Sequence, residues 1–71
     1  MTRIEMLDWI YRFISVRKEA IPYTELLEKI GDKYYRELEI MHFITREFKD
    51  GKWYVWLSRL GKDYCSEIFD Y

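Results

Sequence analysis

Apolar residues recur at helical spacing near the N-terminus, where Met6, Leu7, Ile10, Phe13 and Ile14 fall within one arc. Arg3, Glu5, Asp8, Arg12 and Ser15 fall opposite, and Asp8 and Arg12 form an i,i+4 pair on that polar side. Thr2-Arg3-Ile4-Glu5 fits a capping box, in which Thr2 takes orphan amides and Glu5 reaches back. The pattern predicts a helix over 3–18, ending where Arg17 and Lys18 suit the negative end of the helix dipole. Trp9 and Tyr11 flank the stripe, placed to cover the core edge or to meet a second subunit. Pro22 fits the first turn of a second helix over 22–30, with Leu26, Leu27 and Ile30 inward and Gly31 closing it. Ala20-Ile21 just before it are placed to add a residue or two of β pairing to a later hairpin.

Asp32 can cap a third helix running to about residue 45, whose apolar residues do not make one stripe. One arc holds Tyr34, Ile40, Met41 and Ile44. The other holds Tyr35, Leu38 and His42, with Glu39 and Arg46 alongside. The first arc, richer in large aliphatic residues, is assigned to the core, which leaves the second exposed.

The period then changes. Asp50-Gly51 stands between two apolar or aromatic runs, a strong hairpin signal because both residues tolerate positive φ. Alternation puts Phe48, Trp53, Val55 and Leu57 on one face, expected against the helices, and Glu47, Tyr54 and Trp56 on the other. Ser58 can cap a last helix over 59–69, in which Leu60, Tyr64, Ile68 and Cys65 share a side. Gly61 in its first turn points to a close neighbour that leaves no room for a side chain.

With 71 residues the chain is one domain, 1–71, with one modest core. The hydrophobic fraction of 49% is too high for disorder. Aromatic residues make up 20%, more than so small a core needs, and they extend through Phe69 and Tyr71. That surplus on the terminal helices predicts a homodimer using Trp9, Tyr11, Tyr64, Ile68 and Phe69. A net charge of −1 implies no basic field over the whole domain. No apolar run approaches 18 residues and Cys65 is alone, so the expectation is a soluble intracellular protein without membrane contact.

Chemistry is sparse. His42 is the single histidine, Cys65 reads as a small buried hydrophobe, and the carboxylates are spread at helical surface spacing. The three glycines are separate and form no phosphate-binding loop. No catalytic constellation, metal cluster or cofactor motif emerges, so a binding module is expected rather than an enzyme.

Two local runs carry a family resemblance. Glu25-Leu26-Leu27-Glu28-Lys29-Ile30-Gly31 looks like the first helix of a helix-turn-helix, and Trp56-Leu57-Ser58-Arg59-Leu60-Gly61-Lys62-Asp63-Tyr64 looks like the junction between a wing strand and its final helix. With the element order, they make the chain resemble the winged helix-turn-helix domain from about Ile4 to Ile68. The form is that of small archaeal or archaeal-virus transcription regulators. The resemblance implies an α+β fold of three helices, a two-stranded wing hairpin and a C-terminal helix. It further implies a DNA-binding transcription regulator, many relatives of which dimerise through their first and last helices.

Carried over by position, the base-reading residues are Tyr35, Leu38, Glu39 and His42, with Lys33, Arg36 and Arg46 near the backbone. Lys49 and Lys52 would be the wing-tip phosphate contacts. A reading face usually offers Arg, Asn, Gln or Ser, whereas this one offers Tyr, Leu, Glu and His, and the chain has no Asn or Gln. The alternative is a protein-interaction module in which Tyr35, Leu38, Tyr54 or Trp56 engages a macromolecular partner on the same scaffold.

Overall fold

The computed structural model describes residues 1–69; Asp70 and Tyr71, the latter part of the aromatic surplus, lie outside them. In chain order the elements are α1 (Arg3–Arg17), β1 (Ile21–Pro22), α2 (Tyr23–Ile30), α3 (Asp32–Ile40), β2 (Ile44–Lys49), β3 (Lys52–Leu57) and α4 (Arg59–Phe69). The expected three helices, two-stranded wing and C-terminal helix are thereby corrected to four helices and a three-stranded antiparallel sheet of order β1-β3-β2. The third strand arises because Ile21 pairs with Val55 and Pro22 with Tyr54, one residue later than Ala20-Ile21. Ile21 and Val55 are both fully buried, so the pairing locks a core contact as well as a backbone rung.

Local chemistry explains the helix ends. The capping box is formed, with Glu5 N donating to Thr2 Oγ1 at 3.2 Å and Thr2 N to Glu5 Oε1 at 2.8 Å. The Thr2 backbone N–H, and after it the Thr2 hydroxyl, favour the ionised Glu5 carboxylate and hold its pKa below the usual value. Pro22 is the N-cap of α2 rather than a residue of its first turn. Gly31 separates α2 from α3 and is the N-cap of α3; the expected capping residue, Asp32, instead accepts from Arg36 Nη2 at 3.3 Å.

The third helix stops at Ile40, well short of residue 45. His42 takes a left-handed conformation (φ 60°), its N–H bonds the Glu39 carbonyl, and Phe43 N–H bonds the Leu38 carbonyl. This is a Schellman closure with histidine where glycine is commoner, and it releases Ile44 and Thr45 into β2.

The core gathers Leu7, Ile10, Tyr11, Phe13 and Ile14 of α1, Leu26 and Ile30 of α2, and Tyr34, Tyr35 and Leu38 of α3. Ile21, Ile44, Val55, Leu57 and Cys65 complete it. The assignment of α3's faces is corrected here. Leu38 is 0% exposed and Tyr35 3%, whereas Ile40 is 72% exposed and Met41 42%. With the helix ended at Ile40, the buried arc is centred on Tyr34, Leu38 and Tyr35. Ile40 turns outward on the side opposite.

On α4 the exposed stripe is Leu60, Tyr64 and Ile68, and the buried edge is Gly61 and Cys65. A Cβ on Gly61 would collide with the Phe43 carbonyl oxygen and stand 3.1 Å from Leu57 Cδ2. Close approach of α4 to the start of β2 therefore requires glycine.

Two buried acids give the fold an alkaline limit. Burial pushes the Cys65 thiol up from 9.0 to about 11 and the Tyr35 phenol up from 10.0 to about 12. Both stay neutral in the native state while the unfolded chain ionises them, so their stability contribution is whole below pH 9 and is lost as pH rises through 9 to 12. Thermal melts are expected to show a midpoint that begins to fall above about pH 9. Cys65→Ala, although less stable at neutral pH, should show a shallower early part of that decline.

Candidate functional site

The β2–β3 ribbon turns at Asp50 (φ 51°) and Gly51 (φ 76°), the paired positive dihedrals of a tight hairpin turn. Its register pairs Ile44 with Leu57, Arg46 with Val55 and Phe48 with Trp53 on one face, and Thr45 with Trp56, Glu47 with Tyr54 and Lys49 with Lys52 on the other. The first face was expected to lie wholly against the helices. Only its base does: Ile44, Val55 and Leu57 are buried, whereas Phe48 is 58% exposed and Trp53 46%. The two rings meet edge to face with centroids 5.0 Å apart. The Arg46 guanidinium lies over Trp53, 5.2 Å from its centroid. The ribbon outruns the core, so its inward face becomes an exposed row of Arg46, Trp53 and Phe48.

Beside this row, Pro22, Tyr23, Thr24, Gly51, Lys52, Trp53 and Tyr54 line an open groove of about 400 Å³. Between α3 and β2, Arg46 Nε stands 3.7 Å from Glu39 Oε2. Tyr35 packs edge-on against Tyr23, with centroids 5.2 Å apart, and its hydroxyl is buried without a well-formed hydrogen bond. Burial is the main cause of its raised pKa and the nearby Glu39 charge adds to it, so the phenol remains neutral and can only act as a dipole.

The expected DNA-contact residues do not form one surface. Lys33 and Arg36 are exposed on the outward side of α3, with Arg36 paired to Asp32. Tyr35 and Leu38 are core residues, so neither offers its side chain to a base, and neither is free for the alternative protein partner. Glu39 is half-buried beside Arg46. His42 is exposed, but its backbone closes α3 and its carbonyl accepts from Ser58 Oγ at 2.6 Å. Lys49 and Lys52 are exposed at the ribbon tip, where they are direct cross-strand neighbours whose side chains make no ion pair or hydrogen bond among the described residues.

The expected dimer residues also divide. Tyr11 is buried and stacks on Phe69, centroids 5.9 Å apart, which uses both inside the protomer. Trp9 is half-buried against Phe13 and under Lys29. Tyr64 and Ile68 are 43% and 41% exposed. Tyr64 lines a second groove, of about 490 Å³, with Ile4, Leu7, Tyr34, Ile40, Met41 and Phe43. Arg3 grips Glu37 across one side of that groove with two bonds of 2.7 and 2.6 Å. The ion pair raises the pKa of Arg3 and lowers that of Glu37.

Sequence reasoning missed the exposed rings of Phe48 and Trp53. The signal was their place beside Asp50-Gly51, at the end of the ribbon farthest from the core. Among the described residues no group of histidine, cysteine and carboxylate side chains is arranged to hold a metal ion, and no helix is long and apolar enough to cross a membrane. No protein-family model, curated protein or solved structure matches the chain.

Proposed function

We propose that this domain binds duplex DNA as a transcription regulator, in the manner its resemblance to winged helix-turn-helix proteins implies. The β2–β3 ribbon serves as the wing and the N-terminal half of α3 faces the phosphate backbone. The observation that carries the reading is the Lys49–Lys52 rung: two exposed ammonium groups on a tight turn, with no ion pair among the described residues. Lys33 and Arg36 add positive groups on the outward side of α3. With Tyr35 and Leu38 in the core, base discrimination falls to Arg36, His42 and the α3 side chains flanking them. Backbone contact then dominates affinity. A homodimer through Tyr64 and Ile68 would supply two half-sites.

Lys49→Ala combined with Lys52→Ala is expected to weaken duplex binding at every sequence and to lower the slope of log K against log salt by up to about 2 per domain. Fluorescence anisotropy over a salt series measures both. A second reading, a protein-interaction module, draws on a different feature: the groove of Ile4, Ile40, Met41 and Tyr64, which is apolar and open to solvent. Failure of the wild-type domain to bind any duplex at tens of micromolar in low salt would overturn the DNA reading and leave that one.

A further inference from the structure

We propose that the inward face of the ribbon is a stacking platform for unpaired bases, so that the domain also binds single-stranded nucleic acid. This goes beyond the duplex reading and does not depend on it. Trp53 and Phe48 are on one face of adjacent strands, directly opposite in register, and each exposes about half of its surface. Among the described residues no element covers them, although the same face is fully buried one rung closer to the core at Val55. Exposed aromatic rings in a row accept base faces irrespective of sequence, because every base has a π-face. Arg46, stacked over Trp53, continues the row with a flat cation that can itself stack on a base. The groove beside Trp53, about 400 Å³, has room for a base and its sugar and is edged by the Lys52 side chain, Thr24 and two tyrosines.

Charge selects a nucleic acid over other occupants of an apolar face. Lys49 and Lys52 are direct cross-strand partners, and like charges in that position repel. A phosphate between them removes the repulsion. Both project from the face opposite Trp53 and Phe48, at the tip of the ribbon, so a phosphate between them belongs to a strand whose backbone passes around the turn from the rings; Lys52 also edges the groove beside Trp53. The acidic groups nearest this face in sequence or contact are Glu47, Asp50 and Glu39; Glu47 projects from the opposite face, where it accepts from Trp56 Nε1 at 3.4 Å. Glu39 is held by Arg46, and Asp50 is at the apex of the turn.

Anisotropy titrations of labelled twelve-residue oligo(dT), oligo(rU) and a mixed-sequence duplex, at low salt, test the proposal. The wild-type domain is expected to bind at least one of the single strands. Relative affinity for oligo(dT) and oligo(rU) identifies DNA or RNA as the preferred source of the bases. Phe48→Ala and Trp53→Leu are each expected to weaken single-strand binding by about 5- to 150-fold without altering the salt slope. Trp53→Phe, which keeps a ring, should retain most of the affinity. Because both rings are half exposed, circular dichroism should show each variant folded at the assay temperature. No binding of either single strand at tens of micromolar, or equal affinity of the Trp53→Leu and Trp53→Phe variants, would overturn the platform. So would capture of anionic phospholipid vesicles or a protein by the rings in place of single strands. Duplex binding lost on replacing Lys33 and Arg36, with single-strand binding kept, would separate the two activities.

Discussion

Replacing Gly61 with alanine is expected to destabilise the domain by about 2–3 kcal/mol and lower its melting temperature by roughly 10–20 °C. In an exposed helix interior the same change stabilises by up to about 1 kcal/mol, since alanine is the better helix former. Here the new methyl group meets the Phe43 carbonyl, a backbone atom that cannot rotate away, with Leu57 Cδ2 at 3.1 Å behind it. That carbonyl also accepts the Ser58 N–H at 2.8 Å, so moving it strains the hydrogen bond that ties β2 to the start of α4. Alanine at Ser66, exposed on the same helix, is the control and should leave the melting temperature unchanged or slightly raised. Calorimetry or circular dichroism melts distinguish the two; equal melting temperatures for both variants would contradict the packing.

The second large effect falls on α3. Leu38→Ala is expected to cost about 2–5 kcal/mol, because Leu38 is fully buried and its removal leaves a cavity under the sheet. A domain of this size holds little more than about 5 kcal/mol in total, so much of the population unfolds near physiological temperature. Any accompanying loss of nucleic-acid binding should vanish when measured at a temperature where the variant is folded. Tyr35→Phe is the informative neighbour. It deletes a buried hydroxyl that has no well-formed hydrogen bond, and is expected to be neutral or slightly stabilising. A loss of more than about 1.5 kcal/mol in that variant would mean the phenol has a partner.

These two residues also mark where the sequence was hard to read. The capping box of α1, the Ser58 cap of α4, the turn at Asp50-Gly51 and the burial of Cys65 were all legible, because each depends on a few adjacent side chains. The facing of α3 was not. Its apolar residues cover two arcs, and choosing between them depends on where the helix stops. That stop is set by a histidine in a left-handed conformation, which carries no strong sequence signal. Extending the helix to residue 45 grouped Ile40 and Met41 with Tyr34 and Ile44: the latter two are buried as expected, Ile44 by way of β2, but Ile40 and Met41 are exposed and Tyr35 and Leu38, put outside, are core. The third strand was half legible: β pairing before Pro22 could be anticipated, but its register against Val55 is a contact between distant parts of the chain. The candidate site was less legible still. Alternation correctly grouped Phe48 with Trp53, yet nothing local tells how far a ribbon extends past its core.

The edges of the sheet have a consequence for solubility. A ribbon bearing an exposed phenylalanine on one strand and an exposed tryptophan on the other would ordinarily recruit other chains edge to edge and aggregate. Here β3, which carries the tryptophan, is the central strand, with β1 alongside its Tyr54 and Val55 and β2 along its whole length. One outer edge is only two residues long and ends in a proline that has no N–H to offer a newcomer. The other edge, β2, intersperses Arg46, Glu47 and Lys49 with its apolar positions, so a copy of itself meets charge before it can pair. Aromatic surface at the tip of the ribbon is thus combined with edge strands whose length, proline and charges oppose pairing with a copy of the same chain.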